Sequence, residues 1–361
     1  MDASAITDIR TIKDFKGVTF SNFKKSDCKN LLLKSLIHGS IEPSCYWSAQ
    51  YICAGHFLDL WEIILLFISK HIHLGNPRIS LYIELRYGNF RDIAHSGYSG
   101  KELELRNNNK IRILFAEIVC ILCLSTKKHS LSNIKIDKKC FDMSNITEKL
   151  QADNVEYAKS FFNKKDPTEL FIALNELAYH IKSSRSALDA CFWLEWILEF
   201  EAMCKRDKKH TLVASPRYFA PIDSKCTSDI IWIVWDLLIS EAGIRNDATV
   251  IRVMTSFMNL FSIKYNNSCK KKRRFILYNA ISLLTDSVNY TIPIYKCDTK
   301  IKNVKAKIHL IYKDIKKGEV KPATDYLFDN SIAKPMRKTN IENTMSKLGK
   351  MDTFNTIIHR Q

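Results

Sequence analysis

The stretch at residues 42–77, "EPSCYWSAQYICAGHFLDLWEIILLFISKHIHLGNP", limits the folds open to this chain more than any other. It is too apolar for a helix on a protein surface, and charges interrupt it too often for a membrane span. Pro43 suits the first turn of a helix, and Gly55 and Gly75 suit helix ends. The stretch therefore predicts two core helices, from Pro43 to Gly55 and over about 57–73.

The rest of the chain also has the character of an all-α protein. It contains 10 Gly and 8 Pro in 361 residues, whereas sheet-rich folds need many special turns. Further helices are expected at about 78–94, 104–125, 153–163, 168–183, 187–206, 228–243, 247–265 and 272–288, after a first helix that Ser26 caps and Gly39 ends. Residues 291–313 alternate apolar and charged residues, which predicts either a short strand pair or an induced helix.

An internal repeat is visible in the sequence. "HGSIEPSCYWSAQYI" around Trp47 matches "SSRSALDACFWLEWIL" around Trp193 at an offset of 146, and residues 65–77 match 236–248 at an offset of 171. One inserted loop at 204–228 reconciles the two offsets. The repeat predicts two related helical subdomains, and the alternative is a chance likeness between amphipathic helices.

The predicted organisation has five parts. They are a lead-in (1–25), a first helical subdomain (26–125), a polar, Lys-rich linker (126–150), a second helical subdomain with the inserted loop (151–289) and a basic C-terminal extension (290–361). The extension holds 15 Lys and Arg against 7 Asp and Glu, and it is expected to be largely disordered from Gly318 onward.

The residues around both tryptophans resemble the helical C-terminal collar of the MgsA/RarA-type replication-associated recombination ATPases, which are clamp-loader relatives. That family has a Lys-Ser helix end, a Gly-Ser turn, a Tyr-Trp-x-Ala helix and, after a further turn, a segment running from Ser to Pro. The matching positions are Lys34, Ser35, Gly39, Ser40, Pro43, Tyr46, Trp47, Ala49, Gly55, Ser69, Ile72, Gly75, Asn76 and Pro77, and in the second copy Ser186, Cys191, Phe192, Trp193, Ser240, Glu241, Asn246 and Asp247.

The ATPase module of that family has no counterpart in this sequence. The nearest candidate for a phosphate loop, "HSGYSGKEL" at 95–103, lacks the first Gly, and Glu102 stands where magnesium needs Ser or Thr. The resemblance therefore implies a duplicated collar without the motor and without a cofactor. Such a collar would pair with itself or dock on a replication or repair complex.

The net charge of +17 indicates a polyanionic partner. Nucleic acid is the first candidate and an anionic membrane surface the second, although a generally basic proteome gives the same excess. The charge-free apolar runs fall far short of the ~18 residues of a membrane span. We therefore expect a nucleic acid, with DNA first, as the partner and no membrane.

Two clusters and the basic C-terminal extension carry the predicted contacts with phosphates. "KKKRR" at 270–274 precedes a helix, where the helix dipole disfavours cations, so a phosphate-binding or nuclear-entry role is weighed against a solvated charge run. In the inserted loop, basic residues stand beside Tyr218 and Phe219, a pattern typical of single-strand binders. The candidate residues are Lys205, Arg206, Lys208, Lys209, Arg217, Lys270, Lys271, Lys272, Arg273 and Arg274. Residues 86–92 with Arg78 form a second, modest patch.

The remaining candidates for chemistry are read as parts of the core. Eleven cysteines, several inside apolar runs, indicate reduced thiols in an intracellular protein of the nucleus or cytoplasm. Cys120 and Cys123 form a CxxC without a second ligand pair, so buried thiols are favoured over zinc. Core or capping roles are favoured for Cys53 and His56 over a catalytic pair. The six tryptophans lie among apolar residues, which favours packing over base stacking.

Together these features predict a non-enzymatic, DNA-associated scaffold or accessory factor in replication or repair. The abundance of Lys, Ile and Asn hints at an AT-rich genome such as that of a large DNA virus, in which case the chain acts in the host cell. The alternative is a viral structural or assembly protein whose basic tail orders on assembly. An enzyme with a scattered active site stays a third hypothesis that no motif supports.

Overall fold

A computed structural model of the chain describes residues 4–98, 100–207, 211–295 and 297–320. These residues form thirteen α-helices with short 3-10 and π-helical turns, and within them no strand occurs beyond an isolated bridge between Val18 and Lys24. The all-α prediction is confirmed. Among the described residues no helix combines the length and apolarity needed to cross a bilayer.

The helices fall into two groups of successive elements. The first group is α1 (Lys25–His38), α2 (Ile41–Cys53), α3 (Phe57–Phe67), α4 (Ile79–His95) and α5 (Asn109–Leu124). After the short α6 (Met143–Thr147), the second group is α7 (Phe171–Lys182), α8 (Ala187–Arg206), α9 (Ile231–Ile244), α10 (Ala248–Ser262), α11 (Cys269–Lys272) and α12 (Arg274–Thr285). The helix α13 (Asp298–Ile315) follows.

The opening stretch folds as two buried helices, as its sequence predicts. Gly39 and Gly55 have φ of 72° and 76°, the left-handed backbone that ends a helix and that other residues adopt at a cost. The third helix continues beyond α3 as a π-helical turn, Ile68–Ile72. The apolar content of the stretch is core, because Trp61, Phe67 and Ile68 are all buried.

The tryptophans lie mostly in the interior. Trp61, Trp193, Trp232 and Trp235 are among the largest fully buried side chains, and Trp196 is also buried. Trp47 is half-buried, with its ring edge-on to Phe23 and Tyr46. Packing in the core is thus their role in the structure, since a buried ring cannot receive a nucleic-acid base.

The bounds of the helices agree with the spacing of the sequence repeat. The first residues of α1 and α7, Lys25 and Phe171, are 146 positions apart, and so are those of α2 and α8, Ile41 and Ala187. In both groups the first helix packs on the second, and the second packs on the last, which is α5 or α12. The fourth helices of the two groups, α4 and α10, pack on each other.

The grooves between the second and last helices of the two groups are covered differently. In the first group α13 lies on α2 and α5. In the second group the chain between α5 and α7 covers α8 and α12, where Ile134 N–H donates to the Tyr278 hydroxyl at 3.3 Å. Trp196 Nε1 donates to Cys140 O at 2.9 Å, and Phe141 packs on the Trp196 ring. The segment at 126–150 is therefore a packed cover in the structure, not only the polar linker that its sequence predicts.

Two sequence predictions of local structure are wrong. Residues 153–163 form turns, not a helix, because side chains of α7 hold their backbone: Asn175 accepts from Ala158 N–H, and Glu176 accepts from Gln151 N–H and Ala152 N–H. Ser26 does not cap α1, since the helix already begins at Lys25.

Candidate nucleic-acid interface

The basic run at 270–274 begins with a buried ammonium group. Lys270 is 3% exposed, and its Nζ lies 2.6 Å from Glu201 Oε2 and 2.6 Å from Asp229 Oδ1. The Tyr265 hydroxyl donates to the other oxygen of Asp229 at 2.9 Å. Lys205 of the inserted loop also contacts Glu201, with Nζ 2.9 Å from Oε1. The Lys270 charge is consequently neutralised inside the protein.

The arginines of the run are held in the same manner. Arg273, 5% exposed, donates to Glu62 in α3 from Nε at 3.1 Å and to Phe261 O from Nη1 at 2.6 Å. Arg274 donates to Glu195 Oε2 at 3.0 Å. Burial raises the pKa of Glu195 above its ordinary value, although Arg274 opposes that shift. These contacts join α12 to α3 and α8, so the arginines serve the fold.

The expectation of one exposed cluster at 270–274 is therefore corrected. Lys270 and Arg273 are buried among carboxylates, and a phosphate has no access to them in this structure. Lys271 lies nearer the surface, with its Nζ 2.7 Å from Glu199 Oε2, and Lys272 is exposed. The physical reason is that the buried acids Glu195 and Glu201 of α8 and Asp229, which precedes α9, require cations beside them.

The inserted loop is also held by a buried arginine. Arg217, 4% exposed, binds Asp166 with two parallel hydrogen bonds of 2.7 Å and contacts Asp236 Oδ2 from Nε at 3.1 Å. Burial works to raise the pKa of Asp166, but the Arg217 bonds outweigh it and the pKa lies below its usual value. The prediction that Arg217 meets phosphate is corrected on the same grounds as that for Lys270.

The other predicted residues of this loop are at its edge. Lys205 and Arg206 are exposed at the end of α8, with Arg206 Nε 3.6 Å from Asp207 Oδ1. Lys208 and Lys209 lie outside the described residues. The structure thus brings Lys205 close to Lys270 through their shared partner Glu201, and it does not bring the eight described candidates together on one surface.

An exposed basic face lies on α13, within the basic extension that the sequence predicts but among residues that were not candidates one by one. This helix contains five lysines and two aspartates. It buries Ile301, Ile308, Tyr312 and Ile315 against α2 and α5, and its exposed lysines are Lys300, Lys302, Lys307 and Lys313. The i+3, i+4 and i+7 spacing of the apolar residues in "KIKNVKAKIHLIYKDI" is the signal that predicts a helix with a basic outer side.

One flank of α13 carries a continuous stripe of basic side chains. Positions 302, 305, 309, 313 and 316 follow each other at helical spacing. Lys305 contacts Glu117 Oε2 of α5 at 2.6 Å, and Lys316 donates to Ala5 O. Lys302, before Lys305, and His309 and Lys313, between Lys305 and Lys316, are exposed; Lys316 directly follows the end of α13. We call residues 302, 305, 309, 313 and 316 the α13 stripe.

Some basic side chains of the modest patch at 86–92, and Arg78 beside it, are also engaged in contacts within the protein. Arg86 is paired with Glu117, which in addition accepts from the Tyr82 hydroxyl at 3.0 Å. Arg78 donates to Ile292 O at 2.9 Å. Arg91 is exposed.

The thiols and histidines show the marks of core groups. Burial raises the pKa of both Cys120 and Cys123 to about 11, so these thiols stay protonated at neutral pH. Cys53 is fully buried, and the His56 ring contacts Phe15 O and Val18 O. Within the described part of the chain, no group of three or more His, Cys, Asp or Glu side chains is arranged to hold a metal ion.

Comparisons with protein-family models, with curated proteins and with solved structures find no match for this chain.

Proposed function

We propose that this protein is a non-enzymatic scaffold that binds nucleic-acid phosphates and assembles through its helical subdomains during replication or repair of DNA. The observation that carries the proposal is the α13 stripe. Its lysines Lys302 and Lys313 are exposed along one helix, while Lys305 between them pairs with Glu117. Lys270, Arg273 and Arg217, in contrast, are buried beside carboxylates.

The geometry of α13 suits a phosphate backbone. Its apolar side is fixed on α2 and α5, so the lysines are presented by a rigid element. Residues 302–313 of a helix span about 16 Å at 1.5 Å per residue, a length that covers several phosphates of a duplex. Contacts of this kind are independent of sequence and supply non-specific affinity.

The collar-like assembly belongs to the same proposal. The equal spacing of the helix starts in the two groups supports the duplication, and the resemblance to clamp-loader collars suggests self-association or docking on a replication complex. Fold-level analogy of this kind carries less weight than a site. A mass measurement in solution, made alongside the binding assay below, gives the number of subunits.

The test is a salt series of binding to a fluorescent duplex DNA, followed by anisotropy. About five phosphate contacts give a plot of log affinity against log salt with a slope of about −4 to −5. Replacing Lys302 and Lys313 by Gln removes two of these contacts. We expect weaker binding and a slope that is less steep by about 2.

The matched control is Lys164→Gln with Lys165→Gln. These two lysines are exposed and lie before α7, so the variant has the same net charge as the α13 variant. We expect its salt slope to equal that of the wild type. A flat salt response of the wild type, or equal losses in both variants, would contradict the α13 stripe as the interface.

A further inference from the structure

The inserted loop is more firmly held than a surface connection needs to be. Besides the Asp166 and Asp236 contacts, Arg217 donates to Phe161 O at 2.9 Å and to Ser215 O at 3.0 Å. Ser215 N–H donates to Asp166 Oδ1 at 2.8 Å. A bidentate, buried guanidinium fixes the direction of the backbone on both sides of it.

Backbone contacts between the two ends of the loop complete this anchor. Ala214 N–H donates to Ser228 O at 2.9 Å, and Arg217 N–H donates to Thr227 O at 3.1 Å. Trp232 Nε1 of α9 donates to Cys226 O at 2.8 Å. Residues 214–217 and 226–228 are therefore held to each other and to the core, which preorganises the backbone of the tip between them.

The tip exposes an aromatic ring beside this anchor. Tyr218 directly follows Arg217 and is 79% exposed, while Phe219 is 40% exposed and meets the Trp232 ring edge-on. An exposed tyrosine adds nothing to the core. An exposed ring carried by an anchored backbone, with only two side-chain torsions, instead offers a flat face to a partner at a small cost in conformational entropy.

A groove lies next to the same loop. Pro221, three residues after Tyr218, lines it together with Tyr87 and Arg91 of α4 and with Lys264, which follows α10. The groove has a volume of about 500 Å³, and Arg91 and Lys264 are exposed. The one carboxylate that lines the described groove, Glu84, accepts from Asn259 Nδ2 at 2.6 Å.

We propose that Tyr218 is a stacking platform for a base of single-stranded nucleic acid, whose neighbouring phosphates lie at Arg91 and Lys264. Every base has a flat face that can stack, but only an unpaired base is free to do so. The site therefore discriminates single strands from duplexes and not one sequence from another. This inference rests on the proposed function and adds to it: the α13 stripe takes phosphates of either strand state, and the Tyr218 site takes single strands. No covalent step is involved.

The experiment compares Tyr218→Ala with Tyr218→Phe in the full chain. The probes are oligo-dT and oligo-U of about 16 nucleotides, within the range of one stacking groove, and a duplex DNA. We expect Tyr218→Ala to weaken single-strand binding at least about fivefold and to leave duplex binding unchanged. Tyr218→Phe keeps the ring and should bind like the wild type. The dT and U arms distinguish DNA from RNA as the source of the strand.

A second variant tests the predicted contacts of Arg91 and Lys264 with phosphates. Arg91→Gln with Lys264→Gln should make the salt slope on oligo-dT less steep by about 1.4, because each phosphate contact on a single strand contributes about 0.7. The control is the thermal unfolding temperature of each variant. We expect the wild-type value, because the replaced side chains are exposed.

The outcomes separate this inference from the proposed function. Unchanged single-strand affinity of Tyr218→Ala, or an equal loss on duplex, would overturn the stacking site. If the Lys302 and Lys313 variant still weakens duplex binding in that case, the proposed function stands. A wild-type protein that binds none of the probes overturns both.

Discussion

At the scale of single residues, the basic run at 270–274 shows how an exposed-looking pattern is used inside the protein. Lys270 and Arg273 are buried, whereas Lys271 and Lys272 between them are exposed. The run includes the end of α11 and the beginning of α12. An unpaired buried carboxylate is destabilising, so the Lys270 ammonium beside Glu201 and Asp229 stabilises the arrangement. The buried Arg273 pairs with Glu62, which is partly exposed.

Replacement of Lys270 by Met tests this interior role. The substitution leaves Glu201 and Asp229 without their shared cation, and loss of one partner of a buried ion pair costs about 3–5 kcal/mol. We expect a decrease of that order in the free energy of unfolding, measured by urea denaturation followed by tryptophan fluorescence.

Lys272→Met is the control within the same run. Lys272 is exposed, so the change should be within about 0.5 kcal/mol of the wild type. Equal stability of the two variants would mean that Lys270 is not held between the two carboxylates in solution.

At the scale of elements, α13 and the segment at 126–150 have equivalent positions on the two groups of helices. Each covers the groove between the second and the last helix of its group. The sequence left 291–313 open between a strand pair and an induced helix, because alternation and helical spacing overlap over short windows. The groove of α2 and α5 decides in favour of the helix, since it accepts a stripe of Ile and Tyr side chains.

Phe141→Ala tests the cover over the second half. Phe141 packs on the rings of Trp196 and Phe200, and its loss should loosen residues 126–150 and cost about 2 kcal/mol, less than a fully buried Phe because the ring is partly exposed. Limited trypsin digestion should cut the variant faster at Lys138, Lys139 and Lys149. Cleavage at the wild-type rate would argue against a packed cover.

At the scale of the whole molecule, the two groups of helices are joined by contacts across their boundary. Asn259 of α10 donates to Glu84 of α4, Arg273 reaches Glu62, and Asn76 donates to Ile294 O at 3.0 Å. A pairing of α4 with α10, the fourth helices of both groups, is what a two-fold relation between duplicated subdomains would give. The duplication itself stays a prediction that the helix bounds support.

Deletion of residues 321–361 tests where the charge of the C-terminal extension acts. This segment lies outside the described residues and contains 7 Lys and Arg against 4 Asp and Glu, so most of the excess charge of the extension stays with residues 290–320, which include α13. We expect duplex binding and its salt slope to be largely kept, by the anisotropy assay. Loss of salt-dependent binding would assign it to the deleted tail.

The same deletion distinguishes the alternative function. An assembly protein with a basic tail would keep its affinity for DNA and lose its oligomers, as judged by mass in solution.

The sequence by itself determined the helical class, most helix bounds and the burial of the tryptophans. These follow from short-range periodicity, from glycines such as Gly39 that end helices, and from the apolar surface of large rings, all of which are local properties. Only the tertiary structure decided which cations face the solvent. Lys270 meets Glu201 across 69 positions and Arg273 meets Glu62 across 211, and no local pattern shows which distant carboxylate a basic side chain will meet. Exposed lysines therefore follow one another on α13, whose opposite side is occupied by packing, whereas the run that is densest in basic residues has Lys270 and Arg273 buried.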